Sequence, residues 1–411
     1  MKSNYKKLGD FIRECKVKNE ELAVTTLLGI NIDKFFMPSV ANVVGTDMSV
    51  YKIVKKNQFA CNRMHVGRDE RLPVALSKSD EEFIVSPAYD VFEITDTEVL
   101  LPEFLMMWFS RREFDRNAWF YTDADVRGGL RWKAFCDMQL PIPHIDKQKE
   151  IVKEYNVILN RIALNNQLIQ KLEETAQAIY KQWFVDFEFP DENGKPYKSN
   201  GGEMEFNAEL EQEIPKGWRT GSLNELVNVI DGDRGVNYPS LDEMTKVGFC
   251  LFLNAGNVTK IGFDFSDNVF ISEEKDKKLR NGKLCRNDVV LTSRGTVGNV
   301  AYYSNAIIFN DIRINSGMVI LRGNFSIFIY SMLRNSEMKI AIENYLSGSA
   351  QPQLPIRDLI KIPIMIANDK VLVSFSKTVI NLQNYIDVTK FQNIRLNNFS
   401  DILLSKLSIE N

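Results

Sequence analysis

The residue types that usually carry chemistry are scarce in this chain and poorly spaced for it. Only two of its 411 residues are histidine, His65 and His144, and neither lies at a metal-ligand spacing from a second donor. The five cysteines, Cys15, Cys61, Cys136, Cys250 and Cys285, are odd in number and far apart, with no Cys-x-x-Cys pair. Such a set points to buried free thiols in a reducing compartment, not to a disulfide frame or a zinc site. A Gly-x-x-x-x-Gly-Lys-Ser/Thr loop, whose backbone amides would cradle phosphates, is absent.

Two stretches come nearer to catalytic patterns. Pro190-Asp-Glu-Asn-Gly-Lys195 sets carboxylates before a lysine, as metal-dependent nucleases do, but Asn193 stands where an acid is needed. It also lies in a Gly- and Pro-rich segment that would not hold a metal rigidly. Ser86-Pro-Ala-Tyr89 is close to the Ser/Asn/Asp-Pro-Pro-Tyr turn that presents a flipped base to a methyl donor. Its second proline is missing and no Gly-rich loop follows a strand, so it reads as a turn at a strand end. By elimination, the chain reads something rather than transforming it.

Its net charge of -3 conceals an uneven distribution. Residues 173–213 hold eleven acids and three lysines, so everything else sums to +5. Residues 214–367 carry 18 Lys/Arg against 15 Asp/Glu, and residues 1–143 carry 20 against 21. The acid is confined to one segment, which leaves both flanking regions free to present local basic faces to a polyanion. The start, Met-Lys-Ser-Asn-Tyr-Lys-Lys, lacks the apolar core of a signal peptide, and no run approaches membrane-spanning length. A cytoplasmic location is expected.

The elements that would position such faces come twice. Met138-Gln-Leu-Pro-Ile-Pro143 leads into a long helical stretch, and about 222 residues later Ile360-Lys-Ile-Pro-Ile364 does the same. Tyr51-Lys-Ile-Val-Lys-Lys-Asn-Gln-Phe59 is echoed by Asn281-Gly-Lys-Leu-Cys-Arg-Asn-Asp-Val289, and Leu28-Gly-Ile-Asn31 more loosely by Asn254-Ala-Gly-Asn257. Order is kept and the offsets drift by a few residues, as two divergent copies of one domain-plus-helix unit would give.

After each copy the pattern changes. Apolar or nearly apolar positions recur at spacings of four and three from Ile151 through Tyr155, Ile158, Ile162, Asn165 and Ile169 to Trp183, and again from Leu372 through Val379, Ile386 and Asn393 to Leu407. Each is a heptad seam of about five heptads with an asparagine near its middle. At 1.5 Å per residue each helix spans roughly 50 Å, longer than a small domain is wide. Two such seams predict an intramolecular antiparallel coiled coil, with the asparagines fixing its register at a cost in stability. The expected fold class is α+β: two mixed, strand-rich globular domains separated by two long antiparallel coiled-coil helices. The expected boundaries are 1–143 for the first domain, 144–187 for the central helix, 188–213 for an extended acidic connector, 214–367 for the second domain and 368–411 for the C-terminal helix.

These stretches resemble the specificity subunit of type I restriction-modification systems. The similarity runs over essentially the whole chain and is carried by Leu130-Arg-Trp-Lys133 and Leu140-Pro-Ile-Pro-His-Ile-Asp-Lys-Gln-Lys-Glu150. It continues in Trp183-Phe-Val-Asp-Phe-Glu-Phe-Pro-Asp-Glu-Asn-Gly-Lys-Pro-Tyr197, Ile214-Pro-Lys-Gly-Trp218, Leu291-Thr-Ser-Arg-Gly-Thr-Val-Gly-Asn-Val-Ala301 and Gln351-Pro-Gln-Leu354. The sequence following the second strand-like run, Ile366-Ala-Asn-Asp-Lys370, departs from its first-copy counterpart His144-Ile-Asp-Lys-Gln148. The resemblance implies that each domain reads one half of a split double-stranded DNA target, while the helices set the gap and bind two modification (methyltransferase) subunits. It implies no cofactor in this chain, with S-adenosylmethionine, ATP and Mg on the modification and restriction/translocase subunits. A non-DNA coiled-coil scaffold or a fused single-chain restriction/methylation enzyme are the alternatives; the second would need motifs that are missing.

Base readers are sought in loops that follow a β-run and offer Arg, Asn or Gln, which form bidentate contacts to base edges. Asn62, Arg63, His65 and Arg68 follow the run ending at Cys61, and Arg294 and Thr296 occupy the repeat-equivalent place. Arg234, between Gly232 and Gly235, is a further candidate. For each, a surface charge in ordinary turn chemistry is the competing reading. Trp108, Phe109, Trp119, Phe120 and Tyr121 are expected in the core.

Overall fold

Phe59-Ala-Cys61 and Val289-Val-Leu291 are apolar at every position, so a strand made of either must be covered on both faces. The computed structural model, which describes residues 5–40, 45–64, 66–122, 128–348 and 352–407, places both as inner strands. The chain forms two units, Met1–Ala163 with Arg395–Asn411, and Leu164–Ile394.

In the first unit, a four-stranded antiparallel sheet runs in the order Ile12–Cys15, Asp90–Ile94, Phe59–Cys61, Val74–Leu76. Phe59 and Phe92 lie opposite each other with rings stacked 5.0 Å apart. They join Phe104, Phe109 and Phe135 in the main core, whereas Ala60 and Val91 point to a smaller core behind. Burying each such large side chain contributes about 1.5–3 kcal/mol. Tyr5–Lys7 pairs antiparallel with Gln139–Pro141, so the Leu-Pro-Ile-Pro run closes the unit just before the first long helix, Ile145–Phe184.

The second unit repeats this plan. Its antiparallel sheet runs Asn228–Asp231, Met318–Arg322, Val289–Thr292, Val300–Tyr302. Val289 and Leu291 face one core and Val290 the other. Arg219–Ser222 pairs with Pro363–Ile366 just before the second long helix, Asp369–Lys406. The closest echo has a backbone cause: Asn57 (φ 64°) and Asn287 (φ 73°) are both left-handed, a conformation asparagine tolerates better than most residues. Their amides donate to Ser77 and Tyr303 carbonyls respectively, both at 2.8 Å. The loosest echo is out of step, since Leu28–Ile30 is a strand and Ala255–Asn257 is the 3-10 turn after one.

The long helices have 40 and 38 residues, about 60 Å each. Within the second unit they run antiparallel. Asn165 Nδ2 donates to Asn393 Oδ1 at 2.7 Å and to Gln392 Oε1 at 3.0 Å, and Asn393 Nδ2 donates to Asn166 Oδ1 at 2.8 Å. The two mid-seam asparagines therefore meet through one hydrogen bond, while the Asn393 amide goes to Asn166. Further along, Tyr180 and Trp183 pack on Phe375. Within the first unit, Leu404 and Leu407 join the main core, against which Ile151 and Tyr155 also pack. Charged residues also meet beside the helices of this unit: Glu173 lies 3.2 Å from Arg334 and 3.6 Å from Lys390, near buried Asp387.

Three expectations need correcting. Residues 188–213 do not form a plain extended connector: Met204–Asn207 and Gln212–Pro215 make a hairpin, and Phe189 stacks on Trp218 and Tyr197. Phe189 is buried in the core of the second unit, while most of the acids stay in solvent. Trp108 and Phe109 are buried, but Trp119, Phe120 and Tyr121 are exposed because they end the helix Arg112–Phe120 on its outer side. Cys61 and Cys250 are buried free thiols, Cys15 and Cys136 are half-buried, and Cys285 is exposed.

Candidate nucleic-acid interface

In the second unit the loop Ser293–Asn299 joins the inner strand Val289–Thr292 to the edge strand Val300–Tyr302. Fully buried Thr292 draws its neck together, its hydroxyl donating to the Thr296 carbonyl and accepting from the Asn299 amide at 3.0 Å. The Ser293 and Arg294 amides both donate to the Gly317 carbonyl, at 2.9 and 3.1 Å. Gly295 (φ 74°) and Gly298 (φ 90°) make the turns that let so short a loop close. The result is a rigid base with Arg294, Gly295 and Thr296 exposed at its tip. Among the described residues the Arg294 guanidinium has no hydrogen bond or ion pair.

Arg234 reaches the same turn from the other side. Its Nη2 lies 2.9 Å from Asp231 and donates to the Ser316 carbonyl at 3.3 Å. Gly232 permits the approach, because a Cβ there would stand 2.1 Å from the Asn315 carbonyl oxygen. The structure thus anchors Arg234 and Arg294 to one turn, Asn315–Gly317, which the sequence did not single out.

The first unit differs. Asn62 Oδ1 accepts from the Met64 amide in a local turn. Arg63 is spoken for: Nε donates to Asp90 at 2.6 Å, Nη1 donates to the Leu130 carbonyl, and the guanidinium lies over Trp132 at 5.5 Å. Its side chain is only 19% exposed. Arg68, on the turn Val66–Asp69, is exposed with its guanidinium on Asp69 at 2.6 and 3.1 Å. His65 lies outside the described residues. The Gly67 amide donates to Gly128 at 2.7 Å across a contact too close for a Cβ on either side, which holds the loop to Gly128–Leu130. Ser86–Tyr89 is a turn before the strand Asp90–Ile94, with the Tyr89 amide on the Ser86 carbonyl. Asp90, the partner of Arg63, could not be found from the sequence because it lies 27 residues away.

Among the described residues no group of three or more His, Cys, Asp or Glu could hold a metal ion, and no helix is long and apolar enough to cross a membrane. His144 stands exposed at the start of the first long helix, 3.3 Å from Asp146.

Residues 215–397, which hold the Arg234 and Arg294 loops, match the model of the type I restriction modification DNA specificity domain. The HindI specificity subunit of Haemophilus influenzae is 23% identical over 465 aligned positions, covering 97% of both chains. The chain carries a type I DNA specificity domain and is similar over its length to type I specificity subunits. The MjaIX specificity subunit of Methanocaldococcus jannaschii is 26% identical over 293 residues, which span 69% of this chain and 64% of that relative. The crystal structure of the type I restriction-modification S subunit from M. genitalium shares the fold, with a TM-score of 0.56 at 16% identity over 98% of this chain and 95% of that one.

Proposed function

We propose that each globular unit reads one half of a split, asymmetric DNA target for a type I restriction-modification complex. The observation that carries this is the repeated strand–loop–strand element: the same place in the same antiparallel sheet holds Arg63 and Arg68 in one copy and Arg294 in the other. Divergent copies on one chain favour two different half-sites. In the second unit Arg294, Thr296 and Arg234 would approach base edges or phosphates, arginine being suited to O6 and N7 of guanine. In the first, Asn62, His65 and Arg68 hold the corresponding places, and Arg63 sets the course of their loop. The paired helices would act as a stiff spacer, long against the roughly 34 Å turn of B-DNA, and would dock two modification subunits.

The chain itself would do no chemistry. S-adenosylmethionine, ATP and Mg would be held by the modification and restriction/translocase subunits, and the assembly would work in the cytoplasm. The test is to exchange residues 1–143 for the equivalent unit of another such subunit and sequence the methylated sites of cells carrying the partners. One half of the motif should change while the other half and the gap persist; a change in both halves would sink modular reading. Methylation by the purified chain alone would instead mark a fused enzyme, and no methylated motif at all a scaffold.

A further inference from the structure

The helices Arg112–Phe120 and Ser336–Asn344 are the same element of the repeat. Each has nine residues, each follows a buried helix, and each ends on a tyrosine, Tyr121 and Tyr345. In this alignment buried Ala118 matches buried Ile342, and Trp119 and Phe120 match Glu343 and Asn344. Glu343 and Asn344 are exposed, so the fold makes these surface positions. One copy fills them with polar residues; the other fills them with two large aromatics, 46% and 79% exposed. Tyr121 follows, half exposed, its ring 5.5 Å from that of Phe120. None of the three belongs to the main core of the first unit. Three adjacent rings held in water without a packing role mark a contact surface.

What they contact is indicated by their neighbours. The same helix presents Arg112 and Arg116, whose side chains stay 85% and 74% exposed beside long ion pairs to Asp401 (3.8 Å) and Glu113 (3.9 Å), where the second copy has Ser336 and Ile340. It also packs beside the turn Val66–Asp69 that carries Arg68, and the Gly67–Gly128 clasp ties that turn to the chain just beyond the aromatics. We infer that Trp119, Phe120 and Tyr121 form an aromatic edge of the first unit's DNA contact. The rings stack on bases or wedge into a base step, while Arg112 and Arg116 meet phosphates. This rests on the reading proposed above and adds to it a contact that is tolerant of sequence, because every base has a face to stack on. The edge supplies affinity and local distortion; the Asn62–Arg68 loop supplies base choice.

The test uses the full chain with its modification subunits on a duplex carrying its methylated motif. The double variant Trp119→Gln/Phe120→Asn gives these positions polar side chains close in shape to the second unit's Glu343 and Asn344 without adding a charge, so the fold is kept. Affinity for the duplex should fall by about tenfold or more, as loss of a stacked ring does elsewhere, with unchanged thermal midpoint and unchanged assembly with the modification subunits. Phe120→Tyr should bind as the wild type. A 2-aminopurine in the first half-site should brighten with the wild type and stay quenched with the double variant. Unchanged affinity overturns the inference, as does loss of subunit assembly, which would make the edge a protein contact. If the double variant melts early, Phe120→Asn alone is judged by the same affinity criterion. A wild-type complex that binds its motif no better than random duplex would instead overturn the reading of DNA itself.

Discussion

Arg63 and Arg294 occupy matching places in the two copies, yet replacing each with alanine should have opposite consequences. Arg63→Ala strands the Asp90 carboxylate, only 15% exposed, and frees the Leu130 carbonyl from its partner. Breaking a fully buried pair costs about 3–5 kcal/mol; with roughly a sixth of each side chain still wetted, about 2 kcal/mol is expected here. Arg294→Ala removes a side chain without an internal partner among the described residues, so its stability should stay within about 0.5 kcal/mol of the wild type. Its effect should appear on DNA instead, as about 1–3 kcal/mol of lost discrimination at one base pair if it reads guanine. If it meets phosphate, affinity should drop evenly over all sequences with a shallower salt dependence. Urea unfolding of the chain, followed by competition binding of the assembled complex against single-base variants of its motif, separates these outcomes. The reasoning fails if Arg294→Ala unfolds as early as Arg63→Ala, or if Arg63→Ala matches the wild type in urea.

Two further expectations concern the helix pair. Asn165→Ala removes two hydrogen bonds from a 3% exposed position and leaves the half-buried Asn393 acceptor without its donor, which should cost about 2 kcal/mol in urea; the paired Asn165→Leu/Asn393→Leu variant should recover most of it, and an unchanged midpoint for Asn165→Ala would refute the register role. Burial lifts the Asp387 carboxyl to about 6, against the steadying effect of Ser304, Lys390 and Gln383. The folded chain therefore holds this proton more tightly than the unfolded chain, so the contribution to stability is full below about pH 4 and is lost as pH rises through 6. Asp387→Asn cannot ionise, and should gain on the wild type by up to about 2 kcal/mol between pH 5 and 8; a constant difference in urea midpoint over that range would show that Asp387 does not titrate there.

The repeat and the seams were legible in the sequence because both are local. A left-handed turn needs a tolerant residue at one position, so Asn57 and Asn287 survive divergence, and a heptad seam is written every three or four residues. That is enough to place two long helices and to bring Asn165 to Asn393, whose side-chain oxygen takes the Asn165 amide in the antiparallel pair. Elimination of catalytic patterns was equally local, because phosphate loops and metal ligands have fixed spacings.

The roles of individual arginines were not local. Whether a guanidinium is free depends on which carboxylate and carbonyl the fold carries to it, and those arrive from distant strands: Asp90 and Leu130 for Arg63, the turn at Ser316 for Arg234, and none among the described residues for Arg294. The aromatics 119–121 mislead for the same reason. Hydrophobic residues at a helix end are core or surface according to what packs above them, and only the tertiary structure, set beside its second copy, shows that Trp119 and Phe120 stand where Glu343 and Asn344 face water. Sequence alone determined that the chain is two copies of a domain and its helix; long-range packing decided which side chains remain free to meet a partner.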